Sequence, residues 1–172
     1  HSDPRVPPRE QCVVRYLINR WADERGDQLY VIFDAGTQWT YRDVIEVVEN
    51  ASTNLDCIML PKVQTPEQVV ALDALLTQIE KTMGFEVGRI GIEAQIENAL
   101  SLTNVDAIAA SSPRVETIIF GPADFMASIN MKSLVVGEQP PGYDVGDAYH
   151  YIVMRILMAA RAYDKQAIDG PY

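Results

Sequence analysis

The sequence predicts an α/β fold built on parallel strands. From residue 41 onward, short continuous apolar runs alternate with amphipathic helical stretches, and a charged residue follows each run within four positions. The runs are Cys57 to Leu60, residues 89–96, residues 117–120 and Gln166 to Ile168. Continuous rather than alternating apolarity is what a parallel strand covered on both faces requires. Between the runs lie Pro66 to Met83, with Val69, Leu72, Leu76, Ile79 and Met83 on one face, then residues 104–110, then residues 149–162 with Ile152, Val153, Ile156, Leu157 and Ala160. The order is βαβαβαβ, a layer whose crossovers are right-handed.

Ahead of this pattern the chain reads differently. Residues 3–9 carry Pro4, Pro7 and Pro8 and predict an extended lead-in, because each proline fixes φ and removes a donor. Residues 11–25 repeat Val13, Val14, Leu17, Ile18 and Trp21 at helical steps, and Gly26 follows as a stop. Residues 29–33 predict a short strand closed by the turn Asp34-Ala35-Gly36-Thr37; its expected partner is the strand at Cys57, since an unpaired edge leaves backbone groups unsatisfied. Residues 137–146, rich in Gly and Pro, predict a surface loop.

With 172 residues and 48% apolar composition, the chain is long enough for one domain with a real core. A net charge of −10, with no run of Lys or Arg longer than a pair, argues against a nucleic-acid partner or an anionic membrane surface and suits a cytoplasmic enzyme. The two cysteines, Cys12 and Cys57, suggest neither a disulfide framework nor a zinc site, and Cys57 is expected to be a small buried thiol. The apolar stretches fall short of the ~20 residues of a membrane span, and the polar start has no signal-peptide pattern. The chain begins with His1 rather than Met, so the numbered sequence is expected to be a fragment.

In a parallel α/β layer, ligands sit beyond the carboxyl ends of the strands. Glu97 and Asp124 follow successive strands there and would project into one mouth. Two converging carboxylates repel unless a positive charge lies between them, and a hard cation such as Mg²⁺ meets that need with one or two protein carboxylates. The spacing leaves a second reading open, in which each carboxylate simply caps the following helix. Lys62 could meet a substrate carboxylate or phosphate as a point charge, or be a solvated rim residue. His150 reads as a helix-start residue rather than a base. Asn98 and Gln95 read equally as supports of the site or as core hydrogen-bonders.

These residues lie in blocks that resemble the HpcH/HpaI aldolase and citrate lyase beta-subunit family, particularly its malyl-CoA lyase-like branch, over residues 41–172. The blocks are Asp56-Cys57-Ile58-Met59-Leu60-Pro61-Lys62-Val63, Ile92-Glu93-Ala94-Gln95-Ile96-Glu97-Asn98-Ala99, Ala110-Ser111-Ser112-Pro113-Arg114-Val115, Ile119-Phe120-Gly121-Pro122-Ala123-Asp124-Phe125 and Gln166-Ala167-Ile168-Asp169-Gly170-Pro171. The resemblance implies a (β/α)₈ barrel, of which this chain would hold about four family strands plus one extra amino-terminal strand. It implies Mg²⁺ on Glu97 and Asp124, and a substrate carboxylate held by the backbone near Gly121, Pro122 and Ala123, to which the charge read at Lys62 would be a neighbour. The chemistry implied is cleavage or formation of a C–C bond in a CoA thioester or 2-oxo acid.

The chain departs from the family in two respects. Ser101 stands where the family usually has glycine, and the early barrel strands, one of which carries an arginine that polarises the substrate carbonyl, are not found before Asp56. Residues 9–41 instead resemble the opening of an adenylate-forming acyl-CoA synthetase, through Trp21-Ala22-Asp23-Glu24-Arg25-Gly26-Asp27, Tyr30-Val31-Ile32-Phe33 and Gln38-Trp39-Thr40-Tyr41. The expected division is therefore residues 1–40 and residues 41–172. The resemblance implies a magnesium-dependent lyase first, an interaction module or catalytically impaired fragment that keeps the metal site second, and an acyl-CoA ligase third. Open parallel edges invite pairing with another copy, so a homo-oligomer is expected.

Overall fold

The computed structural model describes residues 29–32, 38–51, 54–144 and 146–170. The helix expected over residues 11–25 and the turn at residues 34–37 lie outside the described residues. The chain divides into two compact units, residues 1–55 with 74–89 and residues 56–73 with 90–172.

In the first unit, β1 (Leu29–Ile32) pairs antiparallel with β2 (Gln38–Thr40), Leu29 opposite Thr40 and Ile32 opposite Gln38. The expected pairing of this strand with the one at Cys57 is not formed; the two belong to separate sheets. The physical reason is proximity along the chain. A partner a few residues away costs little loop-closure entropy, so β1 satisfies its ladder locally. Helix α1 (Tyr41–Ala51) follows directly, with Val48 fully buried.

Helix α2 (Pro66–Met83) begins with proline at its first position, where the missing N–H is not needed, and the Gln68 side chain accepts the backbone N–H groups of Gln64 and Thr65 at 2.7 and 3.1 Å. Its predicted face is buried at Val69, Leu72, Leu76 and Ile79, all at most 5% exposed, while Met83 at its end is half-buried. It stops at Gly84, whose φ of 72° is left-handed, with the Phe85 N–H returning to the Glu80 carbonyl at 2.8 Å. Glu80 is buried, and its carboxylate accepts the Gly88 N–H at 2.8 Å.

The second unit holds a four-stranded parallel sheet in the order β3 (Cys57–Leu60), β4 (Gly91–Ile96), β5 (Val115–Phe120), β6 (Gln166–Ile168). All four strands fall on the predicted runs, and every neighbouring pair is parallel. Three short helices follow β4 and β5: α3 (Ala99–Thr103), α4 (Val105–Ala110) and α5 (Pro122–Ser128). Only α4 matches a helix named from the sequence. The last helix, α6 (His150–Ala162), carries Ile152, Ile156, Ala159 and Ala160 as its buried residues and packs against β5 and β6. Residues 137–144 and 146 form an exposed loop except for half-buried Pro140, as expected; Tyr149 Oη donates to the Glu138 carbonyl at 3.1 Å and anchors it. No helix among the described residues is long and apolar enough to cross a membrane.

The register separates the sheet into two unlike faces. Ile92, Ala94, Ile96, Ile118 and Phe120 lie on one face and are buried. The opposite face carries Met59, Glu93, Thr117 and Gln166 in one row and Gln95, Ile119 and Ile168 in the next. Met59 is 48% exposed and Ile168 43%, so the even coverage of both faces expected from continuous apolarity is not met. Cys57 shares this second face and is half-buried rather than buried, with burial first, and then the neighbouring Glu93 and Glu116 carboxylates, pushing its thiol pKa up.

A buried ion pair fastens the amino ends of the strands. Arg114, 4% exposed, donates from Nε to Asp73 Oδ1 at 2.6 Å and from Nη1 to the Ile90 carbonyl at 2.9 Å. Ser112 Oγ donates to the other Asp73 oxygen at 2.7 Å and accepts the Arg114 N–H at 3.0 Å. Arg114→Met strips a partly buried carboxylate of its partner and frees a buried carbonyl, so urea unfolding is expected to show a loss of about 2–3 kcal/mol. Unchanged stability would show that the pair is energetically idle.

Candidate functional site

The carboxyl ends of β3, β4 and β5 lie side by side because the strands are parallel and in register, Leu60 opposite Ala94 and Ile96 opposite Phe120. The next residues in each chain segment therefore meet. Glu97, directly after β4, is 7% exposed, and its Oε2 accepts the Lys62 backbone N–H at 2.7 Å. Asp124 sits in the first turn of α5, and Lys62 Nζ lies 3.3 Å from its Oδ1. Lys62 thus touches both predicted metal carboxylates, one through its main chain and the other through its ammonium.

The turn that makes this possible is unusual, since Lys62 has φ of 53°, in the left-handed region that residues with a Cβ seldom occupy. Its side chain is 47% exposed and that of Asp124 38%, so this ion pair lies at the surface whereas the Glu97 carboxylate lies beneath it.

Gly121 completes the enclosure. Its N–H extends the ladder by donating to the Ile96 carbonyl at 3.0 Å, which draws its α-carbon against Glu97. A Cβ there would stand 2.4 Å from Glu97 Cγ, 2.7 Å from Oε1 and 3.0 Å from Gln95 Nε2. Gly170, after β6, makes a similar approach to Pro122, where an added Cβ would meet Cδ at 2.4 Å. The strand-end glycines are thus positions of close packing.

The alternative of simple helix caps separates for the two carboxylates. Helix α3 is capped by Asn98, whose Oδ1 accepts the Ser101 N–H at 2.9 Å while Ser101 Oγ accepts the Asn98 N–H at 3.1 Å. Glu97 is therefore not the cap, and Asn98 is a capping residue. Ser101 is fully buried and closes a reciprocal capping box, which is a reason for serine at that position. Asp124 does occupy a first turn, where a carboxylate is favoured by the helix dipole.

His150, also singled out from sequence, and Arg155 both stand on α6. His150 opens α6 and is exposed. Arg155 makes a two-pronged pair with Asp106, from Nη1 to Oδ1 at 3.0 Å and from Nη2 to Oδ2. This pairing, through hydrogen bonding first, holds the Asp106 carboxyl below its usual range. Beside it, a cleft of about 550 Å³ is lined by Leu102, Phe125, Ile129, Tyr151, Ile152 and Arg155. Reasoning from sequence did not find this cleft, because its lining comes from separate helices with no shared motif.

Among the described residues there is no cluster of three or more His, Cys, Asp or Glu suited to a metal ion. The carboxylate pair is an all-oxygen donor set with one buried member and one accessible member, which fits a cation that takes one or two protein carboxylates and fills its remaining positions with water or substrate. The Lys62 ammonium already shows that a positive charge is stable at Asp124.

A family model described as HpcH/HpaI aldolase/citrate lyase matches residues 33–172. The L-malyl-CoA/beta-methylmalyl-CoA lyase of Rhodobacter capsulatus is 37% identical over 144 residues, covering 79% of this chain and 45% of the relative. The chain spans about half the length of the curated relatives it matches. In structure it resembles a Haloferax volcanii malate synthase lead(II) complex, with a TM-score of 0.66 at 14% identity over 92% of this chain and 48% of the other. It also resembles protein CitE of Mycobacterium tuberculosis in complex with magnesium and acetoacetate, with a TM-score of 0.56 at 23% identity over 78% of this chain and 46% of the other. These likenesses agree with the predicted class, a partial parallel α/β barrel. The family match begins at residue 33, inside the segment expected to resemble an acyl-CoA synthetase, and the matches lend that likeness no support.

Gly121→Ala is expected to push Glu97 off the Lys62 N–H and cost about 1–3 kcal/mol through overpacking, read in a thermal or urea melt. A melt like that of the unmodified protein would mean that Glu97 is free to move aside. At Asp106 the sign follows from its depressed folded pKa: the pair's contribution is present above the unfolded value and fades as pH falls through the folded one. Arg155→Ala should therefore cost at most about 1 kcal/mol near neutral pH, the pair being partly exposed, and this difference should shrink below roughly pH 4. A deficit that stays constant down to the acid limb would refute this assignment.

Proposed function

Because the chain belongs to the HpcH/HpaI aldolase/citrate lyase family, we propose that it carries the cation-binding side of a magnesium-dependent carbon–carbon lyase acting on a CoA thioester or its 2-oxo acid product. The observation that supports this reading best is the meeting of buried Glu97 and accessible Asp124 around Lys62 at the carboxyl ends of neighbouring parallel strands. The malyl-CoA lyase relative supports the substrate class, and magnesium with acetoacetate in the CitE complex supports the cation.

Glu97 and Asp124 would hold Mg²⁺. When bound, the ion would supply Lewis-acid polarisation of the substrate carbonyl, where negative charge develops as the C–C bond breaks or forms. The chain's own residues prepare that environment. The Lys62 N–H fixes the Glu97 carboxylate in one orientation, and burial keeps water from competing for it. Gly121, by lacking a Cβ, lets the backbone close over Glu97. Its N–H is engaged by Ile96, so of the segment Gly121, Pro122 and Ala123, the Ala123 amide at the start of α5 is the one left to meet a substrate carboxylate. Lys62 would add positive charge on the same side.

Calorimetric titration of Mg²⁺ provides the test. Glu97→Gln and Asp124→Asn are each expected to weaken binding at least about tenfold, as removal of a group that holds or orients a metal does. Magnesium-dependent cleavage of malyl-CoA, followed through its thioester absorbance, should fall about a hundredfold in either variant. Binding that survives both substitutions would place the cation elsewhere.

A further inference from the structure

We propose that Lys62 is a built-in counter-cation of the carboxylate pair, balancing Asp124 with its ammonium until a divalent cation displaces it, while its backbone N–H keeps Glu97 in place throughout. This rests on the magnesium reading above and names how that centre is held ready for the ion.

The two contacts of Lys62 are chemically separable. The 2.7 Å bond to Glu97 comes from the main chain and survives any replacement that keeps an N–H. The 3.3 Å contact to Asp124 comes from the side chain and is lost with the charge. The left-handed turn at φ of 53° lets one residue make both contacts from the end of β3.

Displacement is favoured by the different burial of the partners. The ammonium and Asp124 are 47% and 38% exposed, so their pairing is screened and easily exchanged for solvent. Glu97 is 7% exposed and keeps its amide partner whichever cation is present. An ammonium and a dication drawn to the same carboxylate repel each other, so ion uptake and the Lys62–Asp124 contact compete. Lys62 is thereby a positioning residue with a second role, limiting the affinity of the centre for divalent ions.

The experiment titrates Mg²⁺ calorimetrically into the unmodified protein, Lys62→Gln, Lys62→Arg, Glu97→Gln, Asp124→Asn and the Lys62→Gln/Asp124→Asn pair, with melting temperatures taken with and without Mg²⁺. Lys62→Gln is expected to bind Mg²⁺ about three- to fivefold more tightly, the range set by loss of an exposed ion pair. It should melt lower than the unmodified protein without Mg²⁺ and recover when Mg²⁺ is added, whereas Lys62→Arg should behave like the unmodified protein. With Asp124→Asn in place, replacing Lys62 should change Mg²⁺ affinity less than it does in the unmodified protein. Lys62→Gln binding equal to or weaker than the unmodified protein, while Glu97→Gln and Asp124→Asn still weaken uptake, overturns the counter-cation and leaves the magnesium centre standing. No Mg²⁺ uptake by the unmodified protein or by Lys62→Gln overturns both.

Discussion

Parallel pairing along both flanks of β4 is the constraint from which the arrangement of the second unit follows. β3 and β5 run alongside β4 in the same direction, so their carboxyl ends finish together and the residues after them share one rim. An antiparallel β3 would carry Lys62 to the other end of the sheet, away from Glu97. A one-residue slip would exchange the two faces, sending Ile92, Ala94 and Ile96 to the side that carries Glu93 and Gln95. The continuation of the ladder by Gly121, one residue beyond β5, brings the third segment against Glu97.

The two ends of this sheet solve opposite electrostatic problems. At the amino ends, the Arg114 guanidinium is buried and its charge is met by Asp73, with Ser112 and the Ile90 carbonyl satisfying further hydrogen bonds. A charge so enclosed has one well-determined arrangement, since losing any partner leaves a desolvated group. At the carboxyl ends, charges are divided between a buried carboxylate held by a main-chain amide and an exposed ion pair. The first arrangement fastens strands; the second leaves an exposed pair that solvent can reach.

Much of this was legible in the sequence for physical reasons. The strand runs at Cys57, residues 89–96, residues 117–120 and Gln166 are apolar because one sheet face is buried along β4 and β5 and half-buried at β3 and β6, and α2 announces itself through a long face of four- and three-residue steps. Glu97 and Asp124 stood out because a carboxylate directly beyond a buried strand is not required by packing. What escaped was carried by the main chain or by distant pairings. The Lys62 amide contact has no residue-type signature, since every residue but proline offers an N–H. The amphipathic character of β4 was hidden, because Glu93 and Gln95 interrupt an otherwise apolar run without breaking its strand length. The local partner of β1 was missed because Gln38-Trp39-Thr40 is only three residues long, with no apolar run to mark it as a strand.

The same division between main chain and side chain determines which positions at the rim tolerate change. At Gly121 the constraint is space: its φ of −105° is open to any residue, yet a Cβ has no room beside Glu97. At Lys62 the constraint is conformational and electrostatic. Its amide must point to Glu97 from a left-handed turn, which asparagine or glycine would occupy with less strain than lysine does. Lysine stands at a position where lysine is conformationally disfavoured, and its ammonium contacts Asp124 there. The left-handed turn and the ion pair are therefore two aspects of one feature, a single residue that meets Glu97 through its amide and Asp124 through its ammonium.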